Sequence, residues 1–168
     1  MKNLAMMYPK PMIRREMFRL SEHLSMSFKD AHVLIVGSSG LFFGADIIKF
    51  MDNSVTGISY INCERIASES GSESIEISGS ITEDIYKKDV IIVDSICSTG
   101  ATLISISEYI KDEAKSIKTA VLINNKARRA VDYDPDFSCF ELNKDVFLVG
   151  YGMSLDNQYR SLDSIFCI

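Results

Sequence analysis

The chain has 168 residues, of which 46% are hydrophobic and 24% charged, and its formal net charge is −5. These values are typical of a globular domain with a buried core, and they exclude wholesale disorder. No run of Lys and Arg is longer than two residues, and no segment approaches the roughly 20 apolar residues of a membrane span. We therefore expect neither a nucleic-acid partner nor a membrane partner.

Cysteine usage indicates a compartment. The four cysteines, Cys63, Cys97, Cys139 and Cys167, lie far apart and form no C-x-x-C pair. This spacing favours free thiols over disulfides or a metal site. Residues 1–15 carry prolines and charges rather than the apolar run of a signal peptide. We expect a cytoplasmic location.

In the first half of the chain, apolar spacing predicts alternating helices and strands. An amphipathic helix with its apolar residues between Met12 and Leu24 precedes a strand over 32–36. The segment Gly37-Ser38-Ser39-Gly40 breaks that strand. A helix over 41–51 follows, with Asp52-Asn53 as its stop, and a further strand covers 55–61.

The second half continues the alternation. Residues 68–80 are rich in Ser, Gly and Glu, which predicts either a mobile loop or a loose hairpin around Ile75 and Ile77. Strands are predicted over 90–93 and 120–123, with a helix over 102–114 between them. Strands that alternate with helices favour an α/β fold, a parallel sheet flanked by helices on both faces.

The last part of the chain differs from the rest. Residues 125–168 contain turns around Pro135 and Gly152 and short strand-like runs. They predict a small C-terminal hood over the carboxyl edge of the sheet, where open α/β folds place ligands. We expect a single domain over 1–168, with a core over about 28–124 and a hood built from 125–168 plus the N-terminal segment.

The junction at 94–102 carries the most chemistry. A buried strand over 90–93 runs into a small polar loop that opens a helix. Free backbone N–H groups and the positive helix end attract an anion, hydroxyls add donors, and Gly100 allows close approach. The alternative is an ordinary strand-to-helix turn rich in capping residues. The candidate phosphate-binding residues are Asp94, Ser95, Ser98, Thr99, Gly100, Ala101 and Thr102.

This junction resembles the phosphoribosyl-pyrophosphate (PRPP) signature of type I phosphoribosyltransferases, and three other segments resemble one branch of that group, the hypoxanthine (guanine) phosphoribosyltransferases. They are Val36-Gly37-Ser38-Ser39-Gly40, the stretch 128–141, and Phe147-Leu148-Val149-Gly150-Tyr151-Gly152-Met153 with Tyr159-Arg160. The likeness spans roughly residues 30–165. It implies the type I phosphoribosyltransferase fold, with PRPP and a purine base or nucleotide as ligands.

The resemblance assigns roles around the PRPP loop. The 5′-phosphate belongs at 98–102. Asp94 and Ser95 stand where two acidic residues normally grip the ribose hydroxyls and support Mg²⁺. Ser98 stands at the position of the catalytic base, and a serine hydroxyl cannot hold or release a proton near neutral pH. Loss of a general base typically costs about 10²–10⁴-fold in rate.

The resemblance also outlines a purine pocket. Phe147 matches the aromatic residue that stacks on the base, although a core aromatic is an equal alternative. Leu148 offers its backbone to the purine edge, and Met153 lies in the same closing segment. Asn125 stands where the family has a lysine for the exocyclic oxygen. A one-residue slip would let Lys126 serve instead, although in extended chain it faces the other way.

The pyrophosphate side departs further from the family pattern. Ser38 and Ser39 replace a lysine and a glycine, which leaves Gly40, and Arg160 matches a pyrophosphate-contacting arginine. The metal-binding candidates are Asp94, Ser154 and Asp156, because Ser154 stands at the family's acidic position and Asp156 is a possible substitute. The family's lid begins with Ser-Tyr, where this chain has Glu64-Arg65, so lid closure over the transition state is not supported.

Three functions remain open. The first is a purine phosphoribosyltransferase with weak or lost catalysis, for which Mg²⁺ is required only if the chain is catalytic. The second is a non-catalytic module that senses PRPP or a purine nucleotide and acts through a partner. The third is a structural subunit with a vestigial pocket. By resemblance we expect a homo-oligomer, a dimer or a tetramer.

Overall fold

A six-stranded sheet forms the centre of the protein. The computed structural model describes residues 4–51, 54–67, 73–79, 81 and 85–168. The main sheet has the order β4-β3-β2-β5-β6-β7, and every neighbouring pair is parallel except β3 and β4. Its strands are β2 (Ala31–Val36), β3 (Val55–Ala67), β4 (Glu73–Ser78), β5 (Asp89–Cys97), β6 (Ser116–Asn125) and β7 (Phe137–Leu142). The predicted α/β fold with a parallel sheet is confirmed.

Helices cover both faces of this sheet. The helices are α1 (Lys10–Ser27), α2 (Gly37–Phe50) and α3 (Ala101–Ile110), with a short 3-10 helix at Lys126–Arg128. Apolar residues of α1 and α2 pack with Val33 and Ile35 on one face, and those of α3 pack with Leu34 and Ile92 on the other. Because side chains alternate across a strand, both faces of β2 are buried. Among the described residues no helix is long and apolar enough to cross a membrane.

A second, smaller sheet joins the two ends of the chain. Its strands are β1 (Ala5–Tyr8), β9 (Ile165–Cys167) and β8 (Leu148–Val149), in that order and antiparallel. The sequence assigned Phe137–Leu142 to the hood and ended the core near residue 124. This is corrected, because β7 pairs in parallel with β6 and so belongs to the main sheet. The turn around Pro135 that suggested a cap is the connection into this last strand.

Several boundaries differ from the predicted ones. Helix α2 begins at Gly37, so the predicted loop 37–40 is its first turn. Strand β5 continues to Cys97, which lies opposite Asn124, instead of ending before Asp94. Helix α3 ends at Ile110 rather than near 114. The hairpin alternative is confirmed by the pairing of Cys63 with Ile77. The predicted stop at 52–53 and the segment 68–72 lie outside the described residues.

Candidate functional site

Two adjoining cavities lie at the carboxyl ends of the parallel strands. The smaller, of about 230 Å³, is bounded by the first turn of α2, the end of β5 and the start of α3. The larger, of about 400 Å³, extends from it toward the hood. Their shared lining makes them one cleft. The predicted site residues brought together here are Ser38, Ser39, Asp94, Ser98, Thr99, Gly100, Thr102, Asn125, Phe147, Leu148, Met153, Ser154 and Arg160.

The loop 98–102 closes the smaller cavity. Gly100 is the N-cap residue of α3, with a φ of 89°, and as a glycine it offers no side chain to the first N–H groups of the helix. A helix leaves its first N–H groups without intrahelical acceptors. The Ala101 N–H donates to Thr99 Oγ1 at 3.4 Å, whereas no acceptor for the N–H of Thr102 or Leu103 occurs in the described part of the chain. These two donors stand at a cavity of about 230 Å³, which leaves room for an anion.

Gly100 is required by its surroundings as well as by its φ angle. A Cβ atom there would lie 2.9 Å from Val131 Cγ2, closer than van der Waals contact allows. The loop therefore packs directly against the segment that follows β6. Only glycine combines this positive φ with so close an approach.

Asp94 lies at the floor of the smaller cavity. Its Oδ1 accepts from the Ser95 N–H at 2.6 Å, and the Ser39 hydroxyl also bonds to the carboxylate. Burial raises the pKa of Asp94 to about 6, although these hydrogen bonds act in the opposite direction. Ser95 is fully buried beside it and does not line either cavity. Ser95 therefore offers no side-chain oxygen to a ligand in the cleft.

The first turn of α2 lies across the smaller cavity from the loop 98–102. Ser39 lines both cavities and Ser38 lines the larger one. Gly40 does not line them. Instead it brings the helix against the sheet, since a Cβ there would lie 3.1 Å from the Val93 carbonyl oxygen. The hood packs even more closely against this turn, because a Cβ at Gly152 would lie 2.4 Å from the Ser39 carbonyl oxygen.

The larger cavity holds most of the candidate purine-binding residues. Phe147 is 39% exposed, so it is a partly open wall rather than a core aromatic. Leu148 and Met153 are buried behind it. The Asn125 amide is fixed by the chain itself: its Nδ2 donates to the Lys144 carbonyl oxygen at 3.1 Å, and its Oδ1 accepts from the Ala127 N–H at 3.2 Å. One N–H of this amide is left for a ligand.

Three further predicted residues, in addition to Ser95 and Gly40, do not line the cleft. The Lys126 ammonium pairs with Glu141 at 3.0 Å and Asp134 at 3.7 Å. The predicted alternative, in which a one-residue slip lets Lys126 contact the purine in place of Asn125, is therefore wrong. Asp156 is exposed in a turn with a φ of 50° and does not replace the acidic residue missing at Ser154. Ala101 starts α3 but is absent from the lining of either cavity.

Other residues at the cleft were not singled out from the sequence. Arg128 lines the larger cavity and pairs with Asp145, and Cys63 lines both cavities from β3. Burial raises the pKa of the Cys63 thiol to about 11. The adjacent Arg128-Arg129 pair was visible in the sequence, but nothing in it indicated which arginine faces the cleft. Arg160 lines the cavity while donating to the Gly152 carbonyl oxygen at 2.7 Å.

The residues at the cleft do not fit a protein-held Mg²⁺. Asp94 is the one acidic side chain lining either cavity within the described ranges, and its oxygens already accept several hydrogen bonds. The described part of the chain contains no group of three or more His, Cys, Asp or Glu side chains arranged for a metal. Mg²⁺ demands octahedral oxygen coordination, which a single carboxylate cannot supply, so the protein alone does not hold the ion and the remaining ligands would have to be water and substrate phosphates.

A family model settles the family question. The model for the phosphoribosyl transferase domain matches residues 5–158, nearly the whole chain. The chain belongs to the phosphoribosyltransferase family. Its site geometry agrees with that membership, since the strand-loop-helix junction at 94–102 and the hood segment 147–160 meet at one cleft.

Individual relatives narrow the branch. The chain is 29% identical to a hypoxanthine-guanine phosphoribosyltransferase of Aquifex aeolicus, over 99% of this chain and 96% of that protein. It is 30% identical to the enzyme of that name from Bacillus subtilis, over 91% of this chain and 86% of that protein. Both relatives are named for purine transfer, so the chain is a phosphoribosyltransferase family member of the hypoxanthine-guanine type.

Solved structures share the fold. A hypoxanthine phosphoribosyltransferase of Staphylococcus aureus superposes with a TM-score of 0.90 at 23% identity, covering 98% of this chain and 90% of that chain. The enzyme from Trypanosoma cruzi, solved with the product IMP, gives a TM-score of 0.85 at 19% identity, covering 97% of this chain and 92% of that chain. These likenesses confirm the type I phosphoribosyltransferase fold.

Proposed function

We propose that this phosphoribosyltransferase family member binds PRPP and purine nucleoside 5′-monophosphates, and that it transfers the phosphoribosyl group slowly. One observation carries the proposal. The N–H groups of Thr102 and Leu103, which have no acceptor in the described part of the chain, stand at the end of a cavity that continues into the larger cavity beside Phe147. A ligand with a phosphate at one end and a flat base at the other fits this arrangement.

The base is proposed to be a 6-oxopurine. Phe147 offers a partly exposed ring for stacking, and the remaining N–H of Asn125 is a donor suited to an exocyclic oxygen. The names of the relatives, and the IMP of the Trypanosoma cruzi structure, agree with this choice of base. Because the orientation of the Asn125 amide is fixed by Ala127 and Lys144, the side chain presents a donor rather than an acceptor.

Slow transfer is proposed because charge has been lost around the reacting centre. Ser98 lines both cavities at the place of the catalytic base, and Ser154 lines the larger cavity at the place of an acidic residue. Without a basic group to manage the purine N7 proton, a rate loss of about 10²–10⁴-fold is expected. The site depends on backbone donors for the phosphate, so binding of a monophosphate is proposed not to require Mg²⁺.

A nucleotide-sensing module is the second candidate. The observation that favours it is a cleft that keeps its phosphate donors but has a single acidic side chain, Asp94, within the described ranges. We further propose a homo-oligomer in the cytoplasm. The four cysteines are free, and exposed apolar side chains such as Leu41 and Ile58 are available for contact with a second copy.

The experiment combines an activity assay with calorimetry on the full chain. Pyrophosphate release is measured with PRPP and hypoxanthine, guanine or xanthine, and IMP, GMP and PRPP are titrated with Mg²⁺ or with EDTA. Slow product formation together with binding of IMP in EDTA supports the proposal. Binding without any product favours the sensor. Absence of both binding and product overturns the proposal and the sensor alike.

A further inference from the structure

Arg129 forms hydrogen bonds to the PRPP loop, residues 98–102, from outside the cleft. The residue follows the 3-10 helix, and its side chain is only 15% exposed. Nη1 donates to the Ser98 carbonyl oxygen at 3.1 Å and to the Cys97 thiol, and Nη2 donates to Asn124 Oδ1. The same guanidinium pairs with Asp134 at 3.4 Å. Its donors are thus spread between the end of β5, the end of β6 and the loop.

The next residue, Ala130, also forms a hydrogen bond to the loop. The Ala130 N–H donates to the Thr99 carbonyl oxygen at 3.1 Å. Two successive carbonyl groups of the loop, those of Ser98 and Thr99, therefore point toward the segment 129–130. In a trans peptide the N–H points opposite to the C=O, so the Thr99 N–H points away from Arg129 and the Gly100 N–H points away from Ala130. Thr99 and Gly100 both line the smaller cavity.

A network of polar side chains holds the Arg129 guanidinium in this orientation. The Asn124 amide nitrogen donates to Asp134 at 3.2 Å and to Glu141 at 3.1 Å, which turns its oxygen toward the guanidinium. Lys126 completes the network through its pairs with Glu141 and Asp134. A guanidinium stays charged at any physiological pH and presents its donors in a rigid plane, so it holds several acceptors in one geometry.

Arg129 does not line either cavity, unlike its neighbour Arg128, which lines the larger one. We propose that Arg129 is the positioning residue of the PRPP loop, since its hydrogen bond to the Ser98 carbonyl, with that of Ala130 to the Thr99 carbonyl, turns the backbone donors of the loop toward the terminal phosphate of the ligand. This inference rests on the proposed binding of a 5′-phosphate. It assigns the geometry of the loop to a residue that never contacts the ligand.

The test compares ligands that differ by the phosphate alone. IMP and inosine are titrated by calorimetry into the wild-type chain and into Arg129→Gln and Arg129→Lys. Loss of a charged hydrogen-bonding group typically changes affinity by about 10- to 100-fold, and we expect that loss for IMP in Arg129→Gln, with inosine unchanged. Arg129→Lys keeps the charge but not the planar fork, and is expected to lose about tenfold for IMP. Arg19→Gln, an exposed arginine of α1, is the matched control.

The outcomes separate this inference from the proposed function. If the wild-type chain binds IMP no better than inosine, the proposed phosphate site fails, and this inference fails with it. If the wild-type chain prefers IMP and both Arg129 variants keep that preference, the inference alone is overturned. Equal losses for IMP and inosine also overturn it, because they indicate a general structural role. Should Arg129→Gln not fold, Arg129→Lys decides the matter by the same comparison.

Discussion

The two sides of the cleft differ in the groups that they present to a ligand. On one side the PRPP loop keeps a positive-φ glycine, backbone donors at a helix end, and an arginine that fixes its carbonyls. On the other side, the first turn of α2 and the hood present the uncharged side chains of Ser38, Ser39 and Ser154. Ligand binding on the first side depends on backbone geometry, whereas any catalytic contribution from the second side would depend on charged side chains.

This difference explains how binding and catalysis can separate. A phosphate needs donors in a fixed geometry, and those donors come from main-chain atoms that survive most substitutions. Stabilising a departing pyrophosphate and moving a proton require ionised side chains at defined positions. Ser98 and Ser154 line the cleft without an ionisable group, so the slow transfer that we propose is compatible with an intact fold. Substitutions that distort the backbone of the loop and substitutions that add a carboxylate therefore have opposite expected effects.

The largest effect is expected from damage to the PRPP loop. Gly100→Ala places a Cβ 2.9 Å from Val131 Cγ2 at a φ of 89°. Strained positions of this kind cost about 1–3 kcal/mol, and displacement of the loop is expected to lower IMP affinity by about 100-fold. Calorimetry and urea unfolding measure the two effects. Gly37→Ala, with a φ of 57° but open space around it, should lose less stability, and an equal loss in both variants would contradict the steric explanation.

The next effect is a dependence of stability on pH through Asp94. Burial raises the pKa of Asp94 to about 6 in the folded chain, above its value of about 3.9 in an unfolded chain. The protonated group is favoured by folding, so its contribution is full below about pH 4 and is lost as the pH rises through about 6. Relative to Asp94→Asn, the wild-type free energy of unfolding should fall by up to about 3 kcal/mol across this window.

Urea unfolding at a series of pH values gives this difference directly. Asp132→Asn, at an exposed position in the connection between β6 and β7, is the matched control and should follow the wild-type chain. A wild-type curve parallel to that of Asp94→Asn between about pH 4 and about pH 7.5 would show that Asp94 is not buried as described.

A carboxylate restored at the reacting centre should raise turnover. Ser98→Asp restores a carboxylate at the position of the catalytic base, and we expect product formation from PRPP and hypoxanthine to rise by about 10- to 100-fold, near the lower end of general-base contributions. The side chain introduced by Ser98→Asn has the same size as that of Asp but no ionisable group, so this variant should give no rise in product formation. Equal rates for the two variants would indicate that something other than the missing base limits turnover.

The smallest effect concerns the purine end. Phe147→Ala removes a partly exposed ring from the larger cavity, and the loss of aromatic stacking should weaken IMP binding by about 3- to 10-fold. Stability should change little because the ring is 39% exposed. Tyr109→Ala, another exposed aromatic residue but on α3 and outside the cleft lining, should leave binding unchanged. Unaltered IMP affinity in Phe147→Ala would remove Phe147 from the site.

The fold was predictable because apolar periodicity reports burial directly. Strands β2, β5 and β6 have fully buried centres, and such runs are visible in any sequence. The hood boundary was missed because β7 is an edge strand with partly buried residues, a pattern that resembles irregular cap structure. The start of α2 was missed because a Gly-Ser-Ser-Gly run favours turns locally, while packing of Gly40 against β5 holds it in the helix.

The site was predictable where backbone geometry determines it. Gly100 and the end of β5 could be placed from the strand-loop-helix pattern alone. Side-chain direction could not, and so Lys126 and Asp156 were candidates until their contacts with Glu141 and solvent were seen. Arg129 illustrates the same limit, since its role depends on contacts with residues 31 and 32 positions away in the chain.

The most direct test of the account is a calorimetric comparison of IMP with inosine in the presence of EDTA. If backbone donors of residues 98–103 bind a terminal phosphate without metal, IMP will bind at least about 100-fold more tightly than inosine, because charged hydrogen bonds to a phosphate contribute several kcal/mol together. Equal affinities for the two compounds, or a preference for IMP that disappears without Mg²⁺, would contradict it.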